Sequence, residues 1–164
     1  MNYSEYLSKK IHTIESLKKQ INAWRLLDKK IVFTNGCFDL LHRGHIDYLS
    51  KAAGFGDIII IGLNSDASVK KLKGENRPIN DEQSRAMILA ALCFIDAVII
   101  FNEDTPLSLI KLIKPDILVK GGDYSLKNIV GSDFVIDNGG EVKIIDFLPG
   151  YSTTIIEAKI KGLT

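Results

Sequence analysis

The sequence predicts an α/β fold: a doubly wound, five-stranded parallel sheet with an N-terminal helical extension. Three observations carry this expectation. Strand-like and helix-like segments alternate five times after residue 28, which means a parallel sheet with helices on both faces. The strands are short continuous apolar runs, such as Ile58–Ile61, as expected for strands buried on both sides. The chain has 164 residues and ordinary globular composition, 46% hydrophobic and 25% charged, enough for one self-sufficient domain.

Residues 1–28 read as one or two amphipathic helices packed on the domain that follows, residues 29–164. Leu7, Ile11, Ile14, Leu17, Ile21 and Trp24 recur there at three- and four-residue steps. Lys30–Thr34 is the first strand. Gly44–Ala53 is a helix ended near Gly54 and Gly56. Asp57–Asn64 is the second strand, Ser65–Lys71 a short helix, and Leu72–Asn80 a loop. Asp81–Phe94 is a strong helix, with Asn80 expected as its N-cap and Gln83 completing a capping box. Asp96–Phe101 is the third strand. Asp104–Ile113 is a helix with Pro106 in its first turn. Pro115–Val119 is the fourth strand, Gly121–Ser125 a turn and Ser132–Asn138 a helical turn. Glu141–Phe147 is the fifth strand and Ser152–Lys161 the last helix.

Composition removes several classes of function. The net charge of +1 argues against a general nucleic-acid binder. No apolar run is long enough to cross a membrane, and Met1–Lys10 lacks the apolar centre of a signal peptide. Cys37 and Cys93 have no metal-type spacing, which suggests a reducing cytoplasm, and no resident metal site is expected.

Ligands of such sheets bind beyond the carboxyl ends of the strands, so the informative residues are those at strand ends. The densest signal is Asn35-Gly36-Cys37-Phe38-Asp39-Leu40-Leu41-His42-Arg43-Gly44-His45. Two of the three histidines fall within four residues, after a strand and at the start of a helix. Unpaired N–H groups and partial positive charge at a helix start suit a phosphate, and imidazoles there can donate to its oxygens. Gly44 is expected to allow a tight turn and a close approach. As lone loop histidines His42 and His45 would mean little; the H-x-G-H spacing in this position outweighs that reading. The sequence G-x-x-x-x-G-K-[ST] is absent. Near the C-terminus, Gly150-Tyr151-Ser152-Thr153-Thr154 is a glycine turn followed by hydroxyls that cap a helix.

The segment Gly36–His45 resembles the G-x-F-D-x-x-H-x-G-H signature of the cytidylyltransferase-like nucleotidyltransferases, and Gly150–Thr154 resembles their G-x-S-T-[ST] motif. The family's fold is Rossmann-like. Its enzymes transfer a nucleoside monophosphate from a nucleoside triphosphate to a phosphate-bearing acceptor and release pyrophosphate. The order of Gly62–Val69, Leu72-Lys73-Gly74, Arg77-Pro78, Gln83–Leu92, Asp104–Leu107 and Leu118–Tyr124 looks like the adenylyltransferase domains of ADP-heptose synthesis. Those domains join AMP from ATP to D-glycero-β-D-manno-heptose 1-phosphate. The runner-up is a cytidylyltransferase, or another adenylyltransferase, acting on a different phosphate acceptor such as glycerol 3-phosphate. Asp146-Phe147-Leu148-Pro149 offers no basic residue where glycerol-phosphate cytidylyltransferases carry an arginine, which weakens that reading.

The resemblance assigns roles. His42, His45 and Lys73 are the catalytic candidates. Asn35, Gly36, Cys37, Phe38, Gly44, Lys120, Gly122, Asp123, Ser152, Thr153 and Thr154 join the histidines around the nucleotide, with Asp123 on the ribose hydroxyls. Asp39, Asn64, Asp66, Arg77 and Arg85 are substrate-binding candidates. For Lys73 and Arg77 the alternative is solvated loop charge, for Arg85 a helix-surface charge, and for Asp39 a cap of the loop. Cys37 is read as a small buried residue, not a nucleophile. Mg²⁺ is expected with ATP as co-substrate. A homodimer, a cytoplasmic location and a separate sugar kinase complete the expectation, the last because the motifs use up the whole length.

Overall fold

The computed structural model describes residues 2–122 and 128–162. The chain begins with α1 (Tyr3–Ser8), the two-residue strand β1 (Ile11–His12) and α2 (Ile14–Leu26). It continues through β2 (Ile31–Gly36), α3 (Arg43–Ala53), β3 (Ile58–Asn64), α4 (Asp66–Lys73), α5 (Glu82–Ala90) and β4 (Ala97–Phe101). Then come α6 (Leu107–Ile113), β5 (Ile117–Gly121), α7 (Ser132–Asp137), β6 (Glu141–Ile145) and α8 (Thr153–Ile160). The strands form one parallel sheet in the order β1-β4-β3-β2-β5-β6. The doubly wound fold is as the sequence predicts, with six strands instead of five. The extra strand lies in the segment read as purely helical: Ile11 and His12 pair with Val98 and Ile99 at the sheet edge.

Period-two alternation explains how one isoleucine run feeds two cores. On β3, Ile59, Ile61 and Leu63 join Val32, Leu49 and Leu89 on the face covered by α3 and α5. Ile60 points the other way and packs with Leu17, Ile21, Phe33, Ile110 and Leu118 on the face covered by α2 and α6. The N-terminal segment is thus tied to the domain through Leu17 and Ile21, both buried.

Two helix starts differ from expectation. The cap of α5 is Asp81, whose side chain accepts from the Ser84 N–H at 2.8 Å, not Asn80. Asn80 is used elsewhere: its backbone N–H and side-chain amide both donate to Asp39, at 3.0 and 2.8 Å. Helix α5 also ends at Ala90, earlier than Phe94, and α6 starts after Pro106 instead of at Asp104. No helix among the described residues is long and apolar enough to cross a membrane.

The strand order reverses between β2 and β5: the chain winds from β2 to β3 and β4 on one side, and from β5 to β6 on the other. A crevice beyond the carboxyl ends of these two strands is the expected ligand position.

Candidate active site

A cleft lies at that position. It has two adjoining lobes of about 350 and 290 Å³, which share His45, Tyr48, Lys73, Phe147 and Thr153. The first lobe is walled by the loop after β2, from Asn35 to Asp39, and by Lys120 and Gly121 at the end of β5. The second is walled by His42 and Gly44 at the start of α3, and by Ser152, Thr153 and Thr154 at the start of α8.

The second lobe is built for an anion. His42 is the N-cap of α3 and makes no side-chain cap bond, so its ring is left for the cleft. His45 N–H and Ile46 N–H both bond to the His42 carbonyl, at 2.9 and 3.2 Å, which starts the helix while Arg43 and Gly44 keep their N–H groups for other partners. Ser152 caps α8 by accepting from the Ile155 N–H at 3.2 Å. Two positive helix ends therefore meet across one small space.

The His42 and His45 rings stack with centroids 3.9 Å apart and planes 26° from parallel. The Phe38 ring meets His45 edge-on at 5.4 Å. Phe38 reaches that position because its φ is 46°, in the left-handed region that a bulky residue seldom adopts. Neither histidine Nδ1 makes a hydrogen bond of good geometry among the described residues, although both are buried. Burial pushes His45 down to about 4, helped by the His42 ring and the Lys73 ammonium, with the Leu40 backbone opposing. Burial lowers His42 as well. Both rings are therefore neutral near pH 7, each with one N–H to give.

Gly44 has a different function from the one expected of it. It lies inside α3 and makes no turn. A Cβ there would come within 3.0 Å of His42 Cε1 and 3.1 Å of the Tyr151 Cβ, so the glycine makes room for the histidine ring.

In the first lobe, Lys120 Nζ donates to Asn35 Oδ1, joining the ends of β5 and β2. Burial lowers the Lys120 ammonium to about 8. Cys37 lines the same lobe as a half-buried thiol, raised in pKa by burial, which makes it less thiolate-like. Lys73 is an exposed cation at the C-terminal end of α4, bordering both lobes, just before Gly74 with φ 102°.

Four of the expected substrate-binding residues, Asn64, Asp66, Arg77 and Arg85, line neither lobe and are engaged with other groups of the protein. Arg85 is 1% exposed. Its guanidinium donates to the carbonyls of Asn80 (2.9 Å), Cys37 (2.6 Å) and Asn64 (2.8 Å) and to Asp66 Oδ1 (2.7 Å). It is neither a surface charge nor a lining residue of either lobe. Instead it ties the loop after β2 to the end of β3. Asn64 turns its amide to Ser68 at 2.9 Å, and Asp66 N–H donates to Glu82. Arg77 is paired with Asp39 at 2.6 Å and with Glu157 of α8. Asp39 borders the first lobe, yet its carboxylate also accepts from the Ile79 and Asn80 N–H groups. Gly122 has φ 102° and lies under the Phe147 ring. Asp123 lies outside the described residues.

Five lining residues were given no role from the sequence: Tyr48, Gly121, Phe147, Leu148 and Tyr151. Tyr48 hydroxyl lies 2.6 Å from Thr34 Oγ1 and donates to the Val119 carbonyl at 3.3 Å, which leaves Thr34 to donate to Tyr48. Tyr151 takes a hydrogen bond from Arg43 Nη1 at 3.1 Å, with the guanidinium 5.5 Å from its ring centre. Tyr48 could have been found by its place one helical turn beyond His45.

The chain is similar to known proteins over most of its length. The chain is 57% identical over 151 residues to a bifunctional protein HldE of Geobacter metallireducens, covering 92% of this chain and 31% of that protein. It is 63% identical over 134 residues to one of Campylobacter fetus, covering 82% of this chain and 28% of the other. The chain thus spans less than a third of the length of these curated relatives. Among solved structures, it resembles a lipopolysaccharide core biosynthesis protein of Thermoplasma volcanium, with TM-score 0.58 and 29% identity, covering 73% of this chain and 97% of that one. A pantoate-beta-alanine ligase of Francisella tularensis shares the fold at TM-score 0.59 and 18% identity, covering 92% of this chain and 76% of its own. Residues 33–158, which run from β2 through most of α8 and hold both lobes of the cleft, match the family described as Cytidylyltransferase-like. With its H-x-G-H histidines stacked at the mouth of α3 and its S-T-T cap facing them, the chain belongs to the cytidylyltransferase-like family.

Proposed function

We propose that the chain transfers AMP from ATP to D-glycero-β-D-manno-heptose 1-phosphate, giving ADP-heptose and pyrophosphate. The observation that carries nucleotidyl transfer is the convergence of two helix N-termini and two neutral, stacked histidines on one small lobe. The heptose acceptor is supported by the resemblance of the segments between Gly62 and Tyr124 to adenylyltransferase domains of ADP-heptose synthesis. The relatives named HldE and the lipopolysaccharide core biosynthesis protein support the same reading.

The chemistry asks little covalent work of the protein. A sugar phosphate is already ionised near neutral pH, so its oxygen attacks the α-phosphorus without a general base. The new P–O bond forms in line, and the bond to the β-phosphate breaks, its electron pair leaving on pyrophosphate. What the site must supply is alignment and charge stabilisation. The triphosphate lies in the lobe of His42, Gly44, His45 and Ser152–Thr154, where N–H groups and hydroxyls receive the charge that builds on the leaving group. Lys73, between the lobes, closes over the phosphates.

Mg²⁺ arrives with ATP as part of the substrate and offsets phosphate charge. The donor set fits this role: the cleft offers imidazoles, hydroxyls and ammonium groups, and its carboxylate, Asp39, is already taken by Arg77 and two backbone N–H groups. The sugar must carry its C1 phosphate before it reaches this site, so a sugar kinase acts first. A cytoplasmic homodimer is the form we expect, on the same resemblance and on the ATP supply the reaction needs.

The test is incubation with Mg²⁺, one nucleotide (ATP or CTP) and one acceptor (heptose 1-phosphate of either anomer, or glycerol 3-phosphate). Pyrophosphate release with ATP and the β-anomer is expected to exceed every other pair. Faster turnover of CTP with glycerol 3-phosphate would replace this reading with its runner-up.

A further inference from the structure

Phe147 is 63% exposed, yet it sits at the mouth of a polar cleft where an apolar ring gains nothing from solvent. It follows β6 and leans across to the end of β5. A Cβ on Gly121 would lie 2.5 Å from its Cε1, and a Cβ on Gly122 would lie 2.7 Å from its Cε2. The outer end of the ring therefore sits against two successive glycines, where any side chain would displace it. The ring borders both lobes at the β2/β5 reversal.

The other aromatic rings lining the lobes are already occupied. Phe38 is buried against His45. Tyr48 is buried, with its hydroxyl engaged by Thr34 and Val119. Tyr151 is 39% exposed, but Arg43 lies over its ring and bonds its hydroxyl. Among the described residues that line the cleft, Phe147 is the ring with a face still free.

We propose that Phe147 is the stacking platform for the base of the nucleotide, backed by Gly121 and Gly122, and that it sets the preference for a purine over a pyrimidine. The inference rests on the function proposed above and adds the residue that reads the base. A planar base covers the exposed face, and a purine covers more of it than a pyrimidine does. Phe147 borders the triphosphate lobe too but brings no charge or hydrogen-bonding group to it, so the platform contributes to nucleotide binding and leaves the phosphoryl chemistry alone.

The test measures binding by titration calorimetry of ATP, CTP and inorganic triphosphate to the unaltered protein, Phe147→Ala and Gly121→Ala. Phe147→Ala should weaken ATP binding by about tenfold, the size of one base-on-aromatic contact. CTP should lose less, and inorganic triphosphate should stay within about twofold. Gly121→Ala, which pushes the ring off its seat, should weaken ATP in the same direction. In turnover, Phe147→Ala should raise the KM for ATP and keep kcat, as loss of uniform binding does. ATP binding by Phe147→Ala within about twofold of the unaltered protein overturns the platform and leaves the proposed function standing. Equal losses for ATP and inorganic triphosphate overturn it too. Failure of the unaltered protein to bind any nucleoside triphosphate overturns the inference and the proposed function together.

Discussion

His42 and His45 lie ring on ring, 3.9 Å between centroids, at the first turn of α3, and burial keeps both neutral. A stacked imidazole pair resists taking up protons, because each charge would face the other. A polyanion beside the pair reverses that balance. Binding of ATP is therefore predicted to draw in protons, more at pH 5.5 than at pH 7.5. Calorimetry in buffers of different ionisation enthalpy measures the uptake directly; uptake that does not change with pH would contradict this assignment.

The same depressed value makes a stability prediction. His45 titrates at about 4 when folded, below its ordinary 6.5. Between those values the unfolded chain holds more protons, so folding stability falls as pH is lowered through that window and is fully present above it. His45→Gln is predicted to flatten the decline of Tm between pH 6.5 and 4. An unchanged slope would show that other groups carry it.

Asp39 sits where three interactions end, from Arg77, Ile79 and Asn80, and its side chain has no exposure. Removing a buried partner strands the others, so Asp39→Ala is predicted to cost about 3–5 kcal/mol. Denaturant unfolding gives the figure; a loss below about 1 kcal/mol would mean that the loop after β2 is held by other contacts.

Arg85 makes four hydrogen bonds from a buried fork. Lysine cannot reproduce that geometry. Both Arg85→Ala and Arg85→Lys are predicted to destabilise by more than about 2 kcal/mol. Rescue by lysine would indicate that charge alone matters, as for a phosphate contact.

Gly44→Ala should preserve the helix, since alanine favours it. It should also press on His42, whose Cε1 lies 3.0 Å from the new Cβ. Turnover is predicted to fall by about tenfold or more, given the sensitivity of aligned sites to small displacements. Near-normal turnover with unchanged Tm would mean that the His42 ring moves aside without consequence.

The sheet was legible because isoleucine runs bounded by glycine and aspartate leave few other interpretations. The two motifs were legible because their chemistry is local: two residues separate His42 from His45, and Ser152 caps the helix it begins. The supporting framework was not. Arg85 meets Cys37 across 48 positions, and Asp39 meets Asn80 across 41. Nothing in the neighbourhood of Arg85 marks it as buried; on a helical repeat it looks like a surface charge. Phe147 was hidden for the opposite reason. It follows Ile144-Ile145-Asp146 and reads as strand, yet β6 stops at Ile145 and frees the ring for the cleft. β1 was missed because a two-residue strand carries no period of its own and exists through its pairing with β4.

In the proposed function, His45 stabilises charge on departing pyrophosphate during AMP transfer to a sugar 1-phosphate. The most direct measurement compares the unaltered protein with His45→Ala, supplied with ATP, Mg²⁺ and D-glycero-β-D-manno-heptose 1-phosphate, scored by ADP-heptose formed and pyrophosphate released. Equal amounts of both products are predicted from the unaltered protein. A loss of about 10²–10³ in rate is predicted for the variant, with its fold intact by circular dichroism. Turnover by His45→Ala within about threefold, or ATP consumed without ADP-heptose, would contradict the account.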